Sequence, residues 1–221
     1  MRISFIITAG GLGKRMESEQ PKQFLCIGGQ PILMHTIARL HAFDESAQLV
    51  VTLPANYIST WQQLCQQHSF TIQHTLVAGG KERYHSIKNA LALCTGTYVG
   101  VHDGVRPFVN DDLLERLFQA VSSYKAVIPV IDVNESLRKV ADNGTNHAVA
   151  RASYRVVQTP QVFEAAILRL AYETPYDSSF TDDASLVELS GQSIHLVTGT
   201  AENIKITQPM DLVIASKLLE N

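Results

Sequence analysis

Ile3-Ser4-Phe5-Ile6-Ile7-Thr8-Ala9-Gly10-Gly11-Leu12-Gly13-Lys14-Arg15-Met16 opens with a short apolar run that stops at a cluster of glycines. Ile3 to Ile7 reads as a buried strand: five residues, mostly β-branched or aromatic, with no polar alternation. The glycines that follow let the chain turn sharply and bring backbone N–H groups close to whatever lies above the strand end. A buried strand feeding a glycine turn is how a parallel α/β sheet begins, and the next 120 residues repeat the alternation it starts.

Pro31 opens a helical pattern with Leu33, Ile37, Leu40 and Phe43 near one face. Leu49 to Leu53 is β-branched, ends at Pro54 and reads as strand; Ile58, Trp61, Leu64 and Cys65 return to helical spacing. Thr71 to Val77 reads as strand, broken by Gly79-Gly80, before Tyr84, Ile87, Leu91 and Cys94 form another helical face. Tyr98 to His102 is strand, Asn110 is a good N-cap for the next helix, and Ala126 to Val130 is strand again. Strands alternating with helices predict right-handed βαβ units, hence an α/β fold with a mostly parallel central sheet and helices on both faces. Residues 132–157 break the rhythm. Ser136 to Val140, the turn Asp142-Asn143-Gly144 and the stretch from Ala148 predict a protruding β-hairpin arm. An isolated hairpin is marginal in water, so the arm is expected to pack on something, a second subunit being the natural choice. A helix over 163–172, a strand over 194–197 and a helix over 209–219 are expected to complete one domain spanning 1–221. No internal repeat or linker interrupts it.

The chain has 221 residues, 18 Lys and Arg against 21 Asp and Glu, and a formal net charge of −3. That balance excludes a generally basic nucleic-acid-binding chain while leaving room for a local cationic pocket. With 45% hydrophobic residues the chain can bury a core without metal or disulfide staples. The longest apolar run, Ile3 to Ala9, is far short of the roughly 20 residues of a membrane span and lacks the pattern of a signal peptide. Three cysteines, Cys26, Cys65 and Cys94, without C-x-x-C pairing suit a reduced, cytoplasmic protein.

Ligands of parallel α/β sheets bind beyond the C-terminal strand ends, so the residues just after each strand are the candidates. After the first strand, Gly10, Gly11 and Gly13 with Lys14, Arg15 and Lys22 suit a polyphosphate, although a tight turn would use glycines too. The loop is not a Walker A, because Thr8 and Arg15 stand at the required Gly and Ser/Thr positions; Met16 likewise breaks the dinucleotide fingerprint. After the third strand, Gly79-Gly80-Lys81-Glu82-Arg83 leads into a helix; Arg83 reads first as a solvated helix-start charge and second as a ligand contact. Asp103 and Arg106 form either a structural pair or a site for a polyol hydroxyl and a phosphate. Asp182 and Asp183 read mainly as helix caps, and Lys205, set between two apolar residues, calls for a partner. No histidine or cysteine spacing fits a protein-held metal, and there is no G-x-S-x-G elbow. Lysines and arginines on loops with few bases suit a nucleophile that is already ionised, such as a phosphate monoester attacking a nucleotide phosphate.

In order along the chain, these motifs resemble the 2-C-methyl-D-erythritol 4-phosphate cytidylyltransferase family. The resemblance runs from Ile6 to about Ala215. It rests on Ala9 to Met16, Pro21-Lys22-Gln23-Phe24, Gly79-Gly80 with Arg83 and Ser86, His102-Asp103 with Arg106-Pro107-Phe108, Gln158 to Phe163, Thr181 to Ser185, and Asn203 to Thr207. It implies a Rossmann-like (GT-A-like) nucleotidyltransferase that converts CTP and methylerythritol phosphate into a CDP-alcohol and pyrophosphate. By the resemblance, Arg15 and Lys22 are catalytic and stabilise charge on the attacked phosphate. Ala9, Gly10, Gly11, Gly13, Lys14, Gly80 and Ser86 hold the nucleotide. Arg151 and Lys205 position the polyol phosphate, with Asp103, Arg106, Ser136, Thr159 and Thr181 near it. Magnesium is carried mainly by the CTP phosphates, and the arm makes a homodimer in which Arg151 serves the neighbour's site. The chain departs from the family pattern in three places: Gly10 and Gly104-Val105 replace alanines, and Glu135-Ser136 replaces Asp-Thr on the arm. The alternatives are a ribitol 5-phosphate cytidylyltransferase and a non-catalytic nucleotide-binding module. The full set Arg15, Lys22, Arg151 and Lys205 speaks against the second.

Overall fold

A computed structural model describes residues 1–11 and 20–220. The elements in chain order are β1 (Ile3–Thr8), β2 (Cys26–Ile27), β3 (Gln30–Pro31), α1 (Ile32–Phe43), β4 (Gln48–Leu53), α2 (Ile58–Gln67), β5 (Thr75–Ala78), α3 (Arg83–Leu91), β6 (Tyr98–Asp103) and α4 (Asp111–Tyr124). There follow β7 (Ala126–Asp132), β8 (Leu137–Val140), β9 (Asn146–Val149), β10 (Arg155–Val157), β11 (Gln161–Glu164), α5 (Ala165–Ala171), α6 (Asp183–Leu189), β12 (His195–Thr198) and α7 (Pro209–Leu218).

The central sheet has eight strands in the order β10-β7-β11-β6-β1-β4-β5, with β12 also paired to β7. β6, β1, β4 and β5 run parallel, as the βαβ reading predicts. β1 is buried on both faces because its side chains alternate between two cores. Phe5 and Ile7 pack with Leu33, Ile37, Trp61 and Leu117 on one side. Ile6 packs with Val50, Ile87 and Leu168 on the other. α4 starts at Asn110, whose side chain accepts the N–H of Leu113 at 2.9 Å, and ends at Lys125 with φ of 66°.

Two expectations need correction. The helix expected from Phe163 starts two residues later. Gln161–Glu164 is instead strand β11, lying antiparallel between β6 and β7. After β7 the chain leaves for the arm and returns through β10, opposite Asp132 at the C-terminal end of β7. It must therefore run back down the sheet antiparallel to its neighbours. The strand expected over 71–77 shortens to Thr75–Ala78, because His74 turns inward instead of pairing. Its Nε2 accepts the Trp61 indole N–H at 2.9 Å and its Nδ1 donates to the Ile72 carbonyl at 2.8 Å.

The arm forms as expected. β8 and β9 pair antiparallel as a separate two-stranded sheet, with Leu137 opposite Val149 and most side chains exposed. Val140 and Tyr154 at its ends are 65% and 46% exposed, large apolar surface for a two-stranded element to leave in water.

Candidate active site

A cleft of about 430 Å³ opens beyond the C-terminal ends of β1, β4, β5 and β6. Each strand end contributes. From β1 come Thr8, Ala9, Gly10 and Gly11; from β4, Thr52 and the following Pro54; from β5, Gly79 and Gly80; from β6, Asp103. Lys22, Gln23, Lys81, Glu82, Arg83, Ser86 and Lys205 add further polar and charged side chains to the walls.

The glycine loop is held by Gln23, whose Nε2 donates to the Ala9 carbonyl at 2.6 Å while Ala9 N–H reaches the Thr52 carbonyl at 3.0 Å. Lys22 lies across Gly11 so closely that a Cβ there would stand 3.2 Å from the lysine Cε. Glycine at 11 therefore lets the ammonium stem cross the loop. On the facing segment the Gly80 N–H donates to Ser86 Oγ at 3.0 Å, and that hydroxyl donates to the Glu82 carbonyl at 3.2 Å. A Cβ on Gly80 would meet the His85 Cβ at 2.3 Å, so only glycine closes this turn.

Asp103 is the buried carboxylate of the cleft. Its Oδ2 receives Arg106 Nε at 3.0 Å and Lys205 Nζ at 3.1 Å. Burial alone would raise its pKa; Lys205, Arg106 and Arg83 outweigh burial and hold the carboxyl well below the usual carboxylate range. Behind it, the Asp103 N–H donates to Thr159 Oγ1 at 3.0 Å, Thr159 Oγ1 lies 3.0 Å from His102 Nδ1, and His102 Nε2 lies 3.0 Å from the Arg106 carbonyl. A carbonyl only accepts, so Nε2 carries the proton, Nδ1 accepts from the threonine, and His102 is neutral. Burial pushes its pKa down to about 4, against the opposing hydrogen bond to Arg106.

Eight of the expected residues therefore line one cleft: Ala9, Gly10, Gly11, Lys22, Gly80, Ser86, Asp103 and Lys205. Gly13, Lys14 and Arg15 lie outside the described residues. Arg106 sits behind Asp103, nearly buried, with its Nη1 on the Asn203 carbonyl at 2.8 Å. Both readings of that pair meet here: it is structural, and it places a cleft carboxylate. Thr159 is buried, its hydroxyl engaged by His102 and the Asp103 N–H. Thr181 borders a smaller neighbouring pocket of about 90 Å³. Ser136 and Arg151 are on the exposed arm and its base, where Arg151 Nη1 donates to the Asn134 carbonyl.

Arg83 is not a solvated helix-start charge. Its Nη2 meets Asp183 Oδ2 at 2.6 Å, and although burial alone would lower its pKa, the Asp183 carboxylate raises it. Asp182 caps α6 as expected, accepting the Ser185 N–H at 2.9 Å. Asp183 does not act as a mere cap. It is fully buried, paired to Arg83 and bonded by Tyr172 Oη at 2.7 Å. Nothing in the sequence singles out Thr52, Gln23 stands there only as part of a motif, and Asp183 only as a helix cap. Gln23 had a signal in its place directly after Lys22.

A mostly parallel sheet whose strand ends bring together a glycine loop, two lysines and a buried carboxylate defines a Rossmann-like fold of the nucleotidyltransferase class. The comparisons narrow it. The profile of the family described as IspD, 2-C-methyl-D-erythritol 4-phosphate cytidylyltransferase, matches residues 3–221, and the chain belongs to that family. The protein of that name from Bacteroides fragilis is 51% identical over 215 residues, covering 97% of this chain and 98% of the relative. The one from Bacteroides thetaiotaomicron is 49% identical over 220 residues, covering 99% and 100%. The crystal structure of the Thermus thermophilus protein of the same name superposes with a TM-score of 0.82 at 32% identity, covering all of both chains.

Proposed function

We propose that the chain performs the reaction its family is named for. A phosphate oxygen of 2-C-methyl-D-erythritol 4-phosphate attacks the α-phosphorus of CTP, a new P–O bond forms, the α–β bridge breaks, and pyrophosphate leaves with the electron pair. The observation that carries this reading is that Lys22 and Lys205, far apart in sequence, line one cleft with the glycine loop and Gly80. The nucleophile is already ionised, so the site needs cations and alignment, not a base. That matches a cleft whose charged side chains, among the described residues, are Lys22, Lys81, Arg83 and Lys205 with Glu82 and Asp103.

In this reading Lys22, with Arg15, stabilises the negative charge that builds on the α-phosphate. Gly10, Gly11, Gly80 and Ser86 seat the nucleotide, with Gly13 and Lys14. Lys205, held by Asp103, receives the acceptor phosphate, and Arg106 and Thr159 act through Asp103. Among the described residues no group of three or more His, Cys, Asp or Glu side chains could hold a metal. The donor set suits magnesium that arrives on the triphosphate and takes at most one or two protein carboxylates, Asp103 and Glu82 being those that line the described cleft. When bound, that ion neutralises phosphate charge.

The assembly follows from the arm. Ser136 and Arg151 do not line the cleft of their own chain, and the arm and its base expose Val140, Tyr154, Val156 and Val157. A homodimer through residues 132–157 covers that surface and delivers Arg151 to the neighbour's acceptor, leaving 1–221 as one catalytic domain with an exchanged arm. Among the described residues no helix is long and apolar enough to cross a membrane. A cytoplasmic location suits the substrates and the three free thiols.

The test is product analysis by phosphorus NMR with CTP, magnesium and methylerythritol phosphate. Equal amounts of pyrophosphate and a cytidine diphosphate ester are expected; CTP bound but never consumed would overturn the reading. For the arm, mixing inactive Arg15→Ala and Arg151→Ala proteins should restore part of the activity, because a heterodimer keeps one intact site. No recovery despite demonstrated subunit exchange would place Arg151 elsewhere.

A further inference from the structure

The ion pair between Arg83 and Asp183 joins the first residue of α3 to the first residue of α6. Its two ends differ. The Asp183 side chain is completely buried, whereas that of Arg83 is 36% exposed and borders both the cleft and the neighbouring pocket that Thr181 lines. Helix capping does not account for Asp183, because Asp182 already accepts the Ser185 N–H and also anchors α6 to β11 through Gln161 Nε2 at 2.7 Å. Stability alone accounts for it poorly, since the desolvation of a buried charge pair offsets most of its attraction.

The pair does tie two segments together. On one side, Gly79 to Ser86 is closed on itself by the Gly80 N–H to Ser86 Oγ bond, so it moves with the start of α3. On the other, Asp183 follows Thr181 by two residues and is bonded by Tyr172 Oη. Next to Arg83, Tyr84 Oη reaches the Thr174 carbonyl at 2.5 Å, a second link between α3 and the same region.

We propose that Asp183, acting through Arg83, is a positioning residue that keeps the nucleotide-holding segment Gly79–Ser86 in register with the segment carrying Thr181. The inference rests on the reaction proposed above and goes further. It assigns to a fully buried carboxylate the alignment of the two substrate halves of the cleft. Asp183 touches neither substrate. The charge at Asp183 matters because only a carboxylate holds the guanidinium at its observed place while also accepting from Tyr172.

The test is steady-state kinetics on Asp183→Asn, Asp183→Glu and Arg83→Gln in the full-length protein, with CTP affinity measured separately by calorimetry. Asp183→Asn keeps the size and an acceptor for Tyr172 but loses the charge. Its KM for each substrate should rise at least five-fold while kcat at saturation falls less than three-fold. Asp183→Glu should recover part of the loss. Arg83→Gln should show the same split, which keeps the test available if the buried variant folds poorly. A purely structural role would lower the Tm and the fraction of active sites while leaving KM and CTP affinity within two-fold of wild type, and that result overturns the proposal. If the wild-type protein binds CTP but does not turn over, the reaction reading fails. Unchanged CTP affinity in both Asp183→Asn and Arg83→Gln would then sink the positioning role on its own.

Discussion

Lys205 Nζ stands 3.1 Å from Asp103 Oδ2, the same oxygen that Arg106 Nε reaches at 3.0 Å. One buried carboxylate thus fixes a half-exposed lysine at the cleft and a nearly buried arginine behind it. Removing its charge frees the lysine and strands the arginine.

Asp103→Asn should therefore act on binding and on stability. The acceptor KM should rise about ten-fold as Lys205 loses the bond that aims it, roughly the 1.4 kcal/mol of a tenfold change. Stability should fall by about 3 kcal/mol, because Arg106 is left without its carboxylate. Initial rates at varied acceptor and a urea titration check both.

Acid should destabilise the protein in two windows with a definite sign. His102 has its pKa lowered to about 4 against an unfolded value near 6.5. Below 6.5 the unfolded chain binds the extra proton, so stability falls as pH drops to about 4, by on the order of 3 kcal/mol. Asp103, whose pKa is depressed, contributes stability that is full above its unfolded value near 3.9 and is lost at lower pH. His102→Gln should flatten the slope between pH 6.5 and 4 and leave the lower window; an unchanged slope there would mean His102 is not the titrating group.

Thr159 is assigned to the support of Asp103, not to direct contact with the acceptor. Thr159→Val strands the Asp103 N–H and His102 Nδ1 and should cost about 3 kcal/mol of stability. Thr159→Ser keeps the hydroxyl and should retain both stability and acceptor KM. Thermal melts and kinetics of the two variants separate the roles: a stable Thr159→Val protein with raised acceptor KM would put the hydroxyl on the substrate.

Lys22→Ala should lower kcat far more than it raises the KM for CTP, by on the order of 2–4 kcal/mol of transition-state stabilisation. Saturating kinetics checks it. An unchanged kcat would remove Lys22 from the chemistry.

Much of this was legible in the sequence, for physical reasons that differ from element to element. β1, β4 and β6 are apolar runs bounded by glycine or proline, and the helices α1 and α4 carry a clean 3.6-residue stripe, so periodicity finds them. β11 is four residues long with two adjacent apolar side chains, Val162 and Phe163, which a helix start accommodates equally well. Only the chain's return from the arm decides its direction. At the site, residues directly after strands were found because the sheet places them at its C-terminal edge. Arg83 reads first as a solvated helix-start charge and Asp183 as a helix cap, because their partnership spans a hundred residues and leaves no local pattern. The family resemblance puts Thr159 near the polyol phosphate and takes in His102 beside Asp103, but which of their atoms face the ligand depends on hydrogen bonds that no spacing encodes.

The most direct test of the account is magnesium-dependent pyrophosphate release from CTP with methylerythritol phosphate and ribitol 5-phosphate offered separately. The account predicts turnover with methylerythritol phosphate and at least a hundred-fold lower kcat/KM, about 2.7 kcal/mol, with ribitol 5-phosphate. The reverse preference would contradict it and direct attention to Ser136 and Gly104, where the chain departs from the family pattern. Silence with both acceptors while CTP still binds would contradict the catalytic role of the cleft altogether.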